Sequence, residues 1–538
     1  MKLSKSAAAL LGIGVAATAV VVATSALAGA ADTGFHTSKP AMLTAVKPGV
    51  EVQPIISVGD TLPGGYMFES IPDGIAIKAG GFLSRENPTI WVNHETSTVP
   101  FPVPPTVPIA INDFTNAMVS ELTLDLDTAG VLSGSYAIPS EANYQRFCSS
   151  FLASRGHGFE RDLLFMNEEA TDWVFRTGIA NRGPGLVHAP NTPGTEQAGV
   201  VVALDIATGE YKTIYGMGRH NHENSVAMRG YGHPVVLSGD DTFSAPSSQL
   251  YMYTADSAAQ VWADSGQLWA FRSNDPAIND YGDLSGSTKV GGEFIAVPEG
   301  IAKGDQNGLE SWSNANNVFQ FIRVEDIAYD RNDQRVVYFA DTGEVRAIPN
   351  PATGRLQRGP SNSAGAFPNG RIFRMVLDRR DPTKVESLSI LIDGDALGNA
   401  GFGNVSLIHQ PDNVETTRRS LLIQEDPGGR NQYALPDGPG KTSARIWRYD
   451  LRTGELEVVA KVDQSLDTTG ANLGAWESSG IVDASDAFGR GAFLVDVQAG
   501  TLRVGDRVNG PDFNGDGTPE WIHEREGGQL LLIRIPGA

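Results

Sequence analysis

Four short polar clusters in the C-terminal two-thirds of the chain each set one acid just ahead of an apolar, strand-like run that itself ends in an acid. The clusters are His222-Glu223-Asn224, Arg323-Val324-Glu325, Pro411-Asp412-Asn413 and Trp476-Glu477-Ser478. The runs that follow occupy residues 235–240, 336–341, 421–425 and 493–496. Carboxylates can hold metal ions or move protons, but only if the fold gathers them. A repeat of this size built from short strands predicts a β-propeller, whose equivalent positions converge on one central channel. Acids gathered there repel one another. At an effective dielectric of about 20, each close pair costs on the order of 4 kcal/mol. Cations seated between them would remove that cost, so the pattern points to a metal site.

The elements needed to position those acids are legible as six candidate blades. They open at residues 90–95, 163–169, 223, 323, 412 and 477, and the last closes with the strand 529–535. Short alternating runs broken by turn residues are what blades require, and 61 Gly and 31 Pro supply the breaks. The expected fold class is therefore all-β, a six-bladed β-propeller forming a single domain over residues 54–538. Residues 273–317 and 349–369 read as loop insertions that cap the channel.

The N-terminus reads as a secretory signal over residues 1–30. Lys2 and Lys5 precede an apolar stretch from Ala7 to about Ala23, and Ala26-Leu27-Ala28 offers a cleavage site. Residues 31–53 read as a polar leader without assigned structure. The mature protein is expected to be secreted or periplasmic, monomeric and free of the membrane. A formal charge of −22 excludes nucleic acid as a partner, because a polyanion requires a basic face. Cys148 is the single cysteine and can form no intramolecular disulfide. Taken alone, it reads either as a buried inert thiol or as a thiolate metal ligand.

The ordered motifs between residues 72 and 426 resemble the PhoX-type alkaline phosphatases. Asn93-His94-Glu95 follows an apolar strand, and Cys148 precedes a strand ending in Glu168-Glu169. Gly218-Arg219-His220-Asn221-His222-Glu223, Arg323-Val324-Glu325 and Pro411-Asp412-Asn413 continue the order. The resemblance implies a six-bladed propeller carrying iron and calcium at the channel mouth. It implies Cys148, Glu223, Glu325 and Asp412 around the irons, with Asn93, Glu95 and Glu169 completing an iron–calcium cluster. Glu169 matches the family position better than Glu168. Arg323 would hold phosphate oxygens, a task suited to a planar and permanently charged guanidinium. Glu477 would be an added metal ligand or a turn residue.

A second metal candidate lies near the C-terminus. Asp512, Asn514, Asp516, Thr518 and Glu520 alternate along a glycine-containing loop like the first half of an EF-hand, a structural calcium site or a polar hairpin turn. There is no Gly-x-Ser-x-Gly nucleophile elbow. The reading is a metal-dependent phosphomonoesterase acting on extracellular phosphate esters. The alternatives are a calcium-dependent propeller hydrolase of phytase or lactonase type and a non-catalytic calcium-binding propeller.

Overall fold

The computed structural model describes residues 33–80, 85–97, 115–177, 188–242, 248–401, 404–426, 442–467, 474–509 and 521–538. Among these, antiparallel strands dominate and helices are short, the longest being Gln306–Ala315. A typical sheet runs outward from the channel through Pro72–Lys78, Thr89–His94, Met118–Leu124 and Val131–Ile138. β-Branched and aromatic residues such as Ile90, Trp91 and Val92 fill its buried second strand. Its outermost strand is buried only at its ends, Val131 and Ile138, with half-buried and exposed residues between them, as an edge facing solvent must be. Asp-initiated turns close the outer hairpins. Asp205 accepts the Ala207 backbone N–H at 3.0 Å, and Gly209 follows at φ 75°. Asp450 does the same for Arg452 and Thr453 ahead of Gly454.

Six separate blades are not what these strands build. Three sheets have four strands and one has five, while a further sheet runs through nine strands from His222–Ala227 to Val324–Tyr329. The correction turns on one pairing. Lys289–Ala296 hydrogen-bonds to Lys384–Asp393, so that two runs of strands continue into each other through their outer edges. The nine-stranded sheet curls like a barrel until its end strands, His222–Ala227 and Val324–Tyr329, lie against one another. The architecture is thus four propeller-type blades and one nine-stranded, barrel-like sheet.

Six inner strands still surround one channel, because the nine-stranded sheet contributes both its ends. Pro72–Lys78, Phe147–Ala153, His222–Ala227, Val324–Tyr329, Pro411–Thr416 and Glu477–Asp483 each contact the next, and the last contacts the first. Residues 43–57, partly within the expected leader, join the fold. Leu43–Ala45 pairs with Leu456–Val462, and Glu51–Ser57 pairs with the C-terminal strand Trp521–Arg534. Apolar side chains between adjacent sheets, among them Phe165, Tyr251, Phe339 and Trp476, form the core. No helix among the described residues is long and apolar enough to cross a membrane. The signal segment lies outside the described residues.

Candidate metal centre

Five of the six inner strands start at the channel mouth with a bulge, and the sixth has its bulge after three paired residues. The register slips between Pro72 and Ile75, Phe147 and Ser150, His222 and Ser225, Val324 and Ile327, Pro411 and Val414, and Ser479 and Ile481. A bulge unpairs the residues it contains and re-aims their side chains. In five strands the first residue within it is Asp73, Cys148, Glu223, Glu325 or Asp412. A second ring comes from the ends of the partner strands. The backbone N–H groups of Glu95, Glu169, Asp241, Thr342 and Asp426 donate to the carbonyls of Ile71, Arg146, Asn221, Arg323 and Gln410 at 2.9–3.0 Å. One repeated backbone clip therefore sets two rings of side chains at the same mouth.

Three groups within those rings bring ligand atoms to within 4.8 Å of one another: Cys148 with Glu169 and Glu223, Glu223 with Glu325 and Asp412, and Asp73 with Glu95 and Glu477. Glu223 belongs to two of them and ties the centre together. Its Oε2 lies 2.9 Å from the Cys148 sulfur, and its Oε1 accepts from Ser149 Oγ at 3.0 Å. Gln498 donates to Asp73 at 2.8 Å and to Glu95 at 3.1 Å. Asn93 is fully buried beside them, donating its amide to the Cys148 carbonyl at 2.5 Å.

Burial and mutual repulsion act on these acids in one direction. Burial first, then the neighbouring Asp73 charge, pushes Glu95 up to about 8. Burial raises Asp73 to about 6. Glu169, Glu223, Glu325, Asp412 and Glu477 are all driven well above the ordinary carboxylate range, by burial first and then by their acidic neighbours. The Cys148 thiol is raised by burial and by Asp73. Such a site must take up protons or cations. Buried Asp73 Oδ1, Asn93 Oδ1 and Asp412 Oδ1 accept no hydrogen bond within the protein. Open acceptor atoms among crowded carboxylates fit hard cations, and the thiolate adds affinity for a softer one.

Arg323 borders this centre. Its Nε and Nη2 donate to both oxygens of Asp241 at 2.6 Å each, and Nη2 lies 3.2 Å from Glu325. That two-point brace fixes a charged plane at the mouth. Glu168, by contrast, is consumed structurally. It takes two bonds from Arg176 at 2.6 and 2.7 Å and the N–H groups of Gln145 and Gly199. Two of the acids that end the other runs behave similarly. Asp341 accepts the Ile322, Arg323 and Gly343 N–H groups, and Glu425 accepts from Arg445 and Trp447. These acids shape the mouth loops, and the residue after each one faces the channel.

A polar floor lies directly beneath the centre. Asn413 donates to Ser149 Oγ at 3.0 Å and accepts the Gly480 N–H at 3.1 Å, while Asn224 bonds Asp326. Glycine closes the ring where strands come nearest. A Cβ on Gly74 would meet Ser150 N at 2.4 Å, and one on Gly480 would meet the Asp73 carbonyl at 2.3 Å. Below the floor the channel holds a cavity of about 160 Å³, lined by Ile75, Phe151, Val226, Ile327, Val414 and Ile481.

Asp73, Asp241 and Asp426 are channel-mouth acids that the sequence motifs did not single out. For Asp73 the signal was present, since Pro72-Asp73 repeats the Pro411-Asp412 pair at the same place in a bulged inner strand. Asp241 and Asp426 each follow the acid that ends a run, one residue beyond where the pattern stopped. The candidate calcium loop with Asp512, Asn514, Asp516, Thr518 and Glu520 lies outside the described residues.

The family model described as "Alkaline phosphatase PhoX" matches residues 185–476. Among solved structures, Pseudomonas fluorescens PhoX in complex with vanadate, a transition-state analogue, aligns with a TM-score of 0.60 at 14% identity, covering 93% of this chain and 98% of that one. The NanB sialidase of Streptococcus pneumoniae aligns with a TM-score of 0.38 at 8% identity, covering 89% of this chain and 70% of its own. No curated protein matches the sequence.

Proposed function

The chain belongs to the alkaline phosphatase PhoX family, and from that premise we propose that it is a metal-dependent phosphomonoesterase, releasing phosphate from organic phosphate esters outside the cytoplasm. The observation that carries the reading is the placement of Arg323, braced by Asp241, against ligand groups that share Glu223. A fixed guanidinium beside cations is an arrangement suited to a phosphoryl group, whose charge is spread over three equatorial oxygens.

Cys148, Glu223, Glu325 and Asp412 would hold iron, the thiolate favouring the softer ion. Asp73, Glu95 and Glu477, together with Asn93, would hold calcium through oxygen donors, while Glu169, grouped with Cys148 and Glu223, would help complete the iron–calcium cluster. Bound cations would supply Lewis acidity and neutralise the crowded acids. The chain's own residues do the rest. Arg323 orients the phosphate through parallel N–H donors, and Asp241 keeps that plane from rotating. Ser149 and Asn413 anchor Glu223 from the floor, so the shared ligand cannot swing toward the cavity below. The signal-like N-terminus supports a secreted or periplasmic location and substrates met there.

The test is elemental analysis of the purified protein alongside p-nitrophenyl phosphate turnover, with and without chelator. Iron and calcium in the protein, with turnover lost on chelation and inhibited by orthovanadate, support the reading. Replacing Arg323 by Ala should then abolish turnover while leaving bound metal in place. Turnover that survives both chelation and this substitution would reject it.

A further inference from the structure

The residues that face the bulges across the ladder form a second pattern at the mouth. Phe147 pairs with Glu168 and Ser150 with Met166, which leaves Cys148 and Ser149 together opposite Asn167. By the same count Asn93 faces Asp73-Gly74, Gly239 faces Glu223-Asn224, Ala340 faces Glu325-Asp326 and Gln424 faces Asp412-Asn413. Asn93, Asn167 and Gln424 are fully buried amides. Each donates its nitrogen to an inner strand, while the side-chain oxygen of each accepts nothing among the described residues. A buried amide with an open oxygen is a costly way to fill space, so what its nitrogen holds is the reason for it.

Two of these amides converge on one bulge. Asn167 Nδ2 donates to the Ser149 carbonyl at 2.8 Å, and Asn93 Nδ2 donates to the Cys148 carbonyl at 2.5 Å, with the Ser149 carbonyl 3.3 Å away. A bulge frees backbone carbonyls from the ladder. Here they are caught from the bulge's own sheet by Asn167 and from a neighbouring sheet by Asn93. The bulge held in this way is the one that carries the thiol. Its Cys148 sulfur lies 2.9 Å from Glu223 Oε2, and its Ser149 hydroxyl donates to Glu223 Oε1 at 3.0 Å. Cysteine places its sulfur by a single rotatable bond, whereas glutamate reaches through several, so a thiol goes only where its backbone is fixed. The carboxylate bulges opposite Gly239 and Ala340 face no amide of this kind.

Resting on the phosphatase reading above, we propose that Asn167 is a positioning residue of the metal centre, whose amide fixes the bulged peptide and, through it, the Cys148 thiol and the Ser149 hydroxyl against Glu223. Without that amide the freed carbonyls lose a donor, the peptide can turn, and both groups leave Glu223 together. Asn167, Glu168 and Glu169 then divide one strand end between them. Asn167 sets the bulge opposite, Glu168 anchors the loops through Arg176, and Glu169 joins Cys148 and Glu223 as a ligand group.

The experiment loads the chelator-stripped full chain with cobalt(II) and reads the near-ultraviolet thiolate-to-cobalt absorption per bound cobalt. Beside it, kcat and KM for p-nitrophenyl phosphate are measured on the metal-loaded enzyme. Asn167→Leu is close in size but cannot donate. It should lose most of the absorption and lower kcat by about tenfold to a hundredfold, with KM little changed because Arg323 is untouched. Asn167→Ala leaves room for water on the freed carbonyls and should show a smaller loss of the same kind, so the test stands even if the leucine variant does not fold. Gln424→Met removes the corresponding amide from a sheet without a thiol and should leave the cobalt absorption intact. Unchanged absorption in both Asn167 variants, or an equal loss in Gln424→Met, would show that the amide is ordinary packing and would overturn the assignment. A wild type that turns over p-nitrophenyl phosphate without any thiolate absorption would defeat this inference alone. A wild type with neither turnover nor absorption would bring down the phosphatase reading and this inference with it.

Discussion

The ring of inner strands has acids at its mouth and, on two strands, Glu415 and Asp483 at its far end, and the two ends neutralise them by opposite means. At the far end Arg331 pairs with Asp483 at 2.9 Å and Glu415 at 3.1 Å, and Glu415 also accepts the Thr416 and Asp483 N–H groups. At the mouth, Asp73, Glu95, Glu169, Glu223, Glu325, Asp412 and Glu477 face one another, and Arg323 is shared between Asp241 and Glu325. The far-end acids share a cation supplied by the chain itself. The mouth's acids are arranged to be balanced from outside it. That difference marks the mouth as the working end, since a fold selected only for stability would not keep such a cluster.

The contrast is broken most severely at Glu223, the residue two ligand groups share. Glu223→Gln keeps the shape and the Ser149 contact but removes one negative charge. Turnover should fall by about a thousandfold, with loss of bound metal. Thermal stability should change in opposite senses in the two states. The metal-loaded protein loses stability, whereas the chelated protein gains it, because one repelling acid is gone. Calorimetry with and without chelator checks this. A variant less stable in both states would mean that Glu223 is held by the protein alone.

His157 sharpens the far-end half of the comparison through pH. Its ring sits against Phe151 and Tyr329, with Nδ1 accepting the Ser154 N–H at 3.1 Å and Nε2 placed 3.2 Å from the Tyr329 hydroxyl. Burial first, then the charges of Arg229 and Arg331 against the weaker pull of Asp162, lowers it to about 4. Its ordinary value is near 6.5, so the unfolded chain binds a proton that the folded chain refuses. Stability from neutral His157 is complete above about pH 6.5 and is lost as pH falls toward 4, by at most about 3 kcal/mol. Urea unfolding of the wild type and His157→Gln at pH 7 and 4.5 isolates this from the mouth acids, which are common to both. The stability gap should narrow at the lower pH. A constant gap would mean His157 titrates normally.

The sequence showed the repeat at the mouth but not how the sheets join. Glu223, Glu325, Asp412 and Glu477 could be read because each sits in a polar cluster ahead of an apolar run, and for the first three a bulge turns that local pattern into geometry. Asp73 escaped notice for want of a longer cluster around it, although Pro72-Asp73 carries the same pair as Pro411-Asp412. The nine-stranded sheet was not legible. Lys289–Ala296 contains Gly291-Gly292, which breaks the alternation of a strand, and it lies within a stretch that reads as a capping insertion. Its partner Lys384–Asp393 lies far away in sequence, and no local period records that pairing. The run-ending acids Glu168, Asp341 and Glu425 are part of the sequence pattern but not among the candidate ligands read from it. They are loop anchors, because the strand's two-residue period turns each away from the channel and its successor toward it.

The smallest effect tests the far end most directly. Arg331 contacts two acids through separate nitrogens, yet its side chain is 31% exposed, so solvent screens part of what it contributes. Arg331→Met should keep much of the packing of the stem while leaving Glu415 and Asp483 to repel each other. A fully buried pair broken in this way costs about 3–5 kcal/mol, and the exposure here reduces that to about 1–2 kcal/mol. Salt should recover part of the loss, because the remaining repulsion is reached by solvent. Turnover of p-nitrophenyl phosphate and metal content should stay as in the wild type, since the hydrogen-bonded floor of Ser149, Asn413 and Gly480 lies between Arg331 and the ligands. Chemical denaturation at low and high salt, read beside activity, checks both halves. Loss of activity without loss of stability would show that the floor transmits what happens below it, and the two ends would no longer be independent.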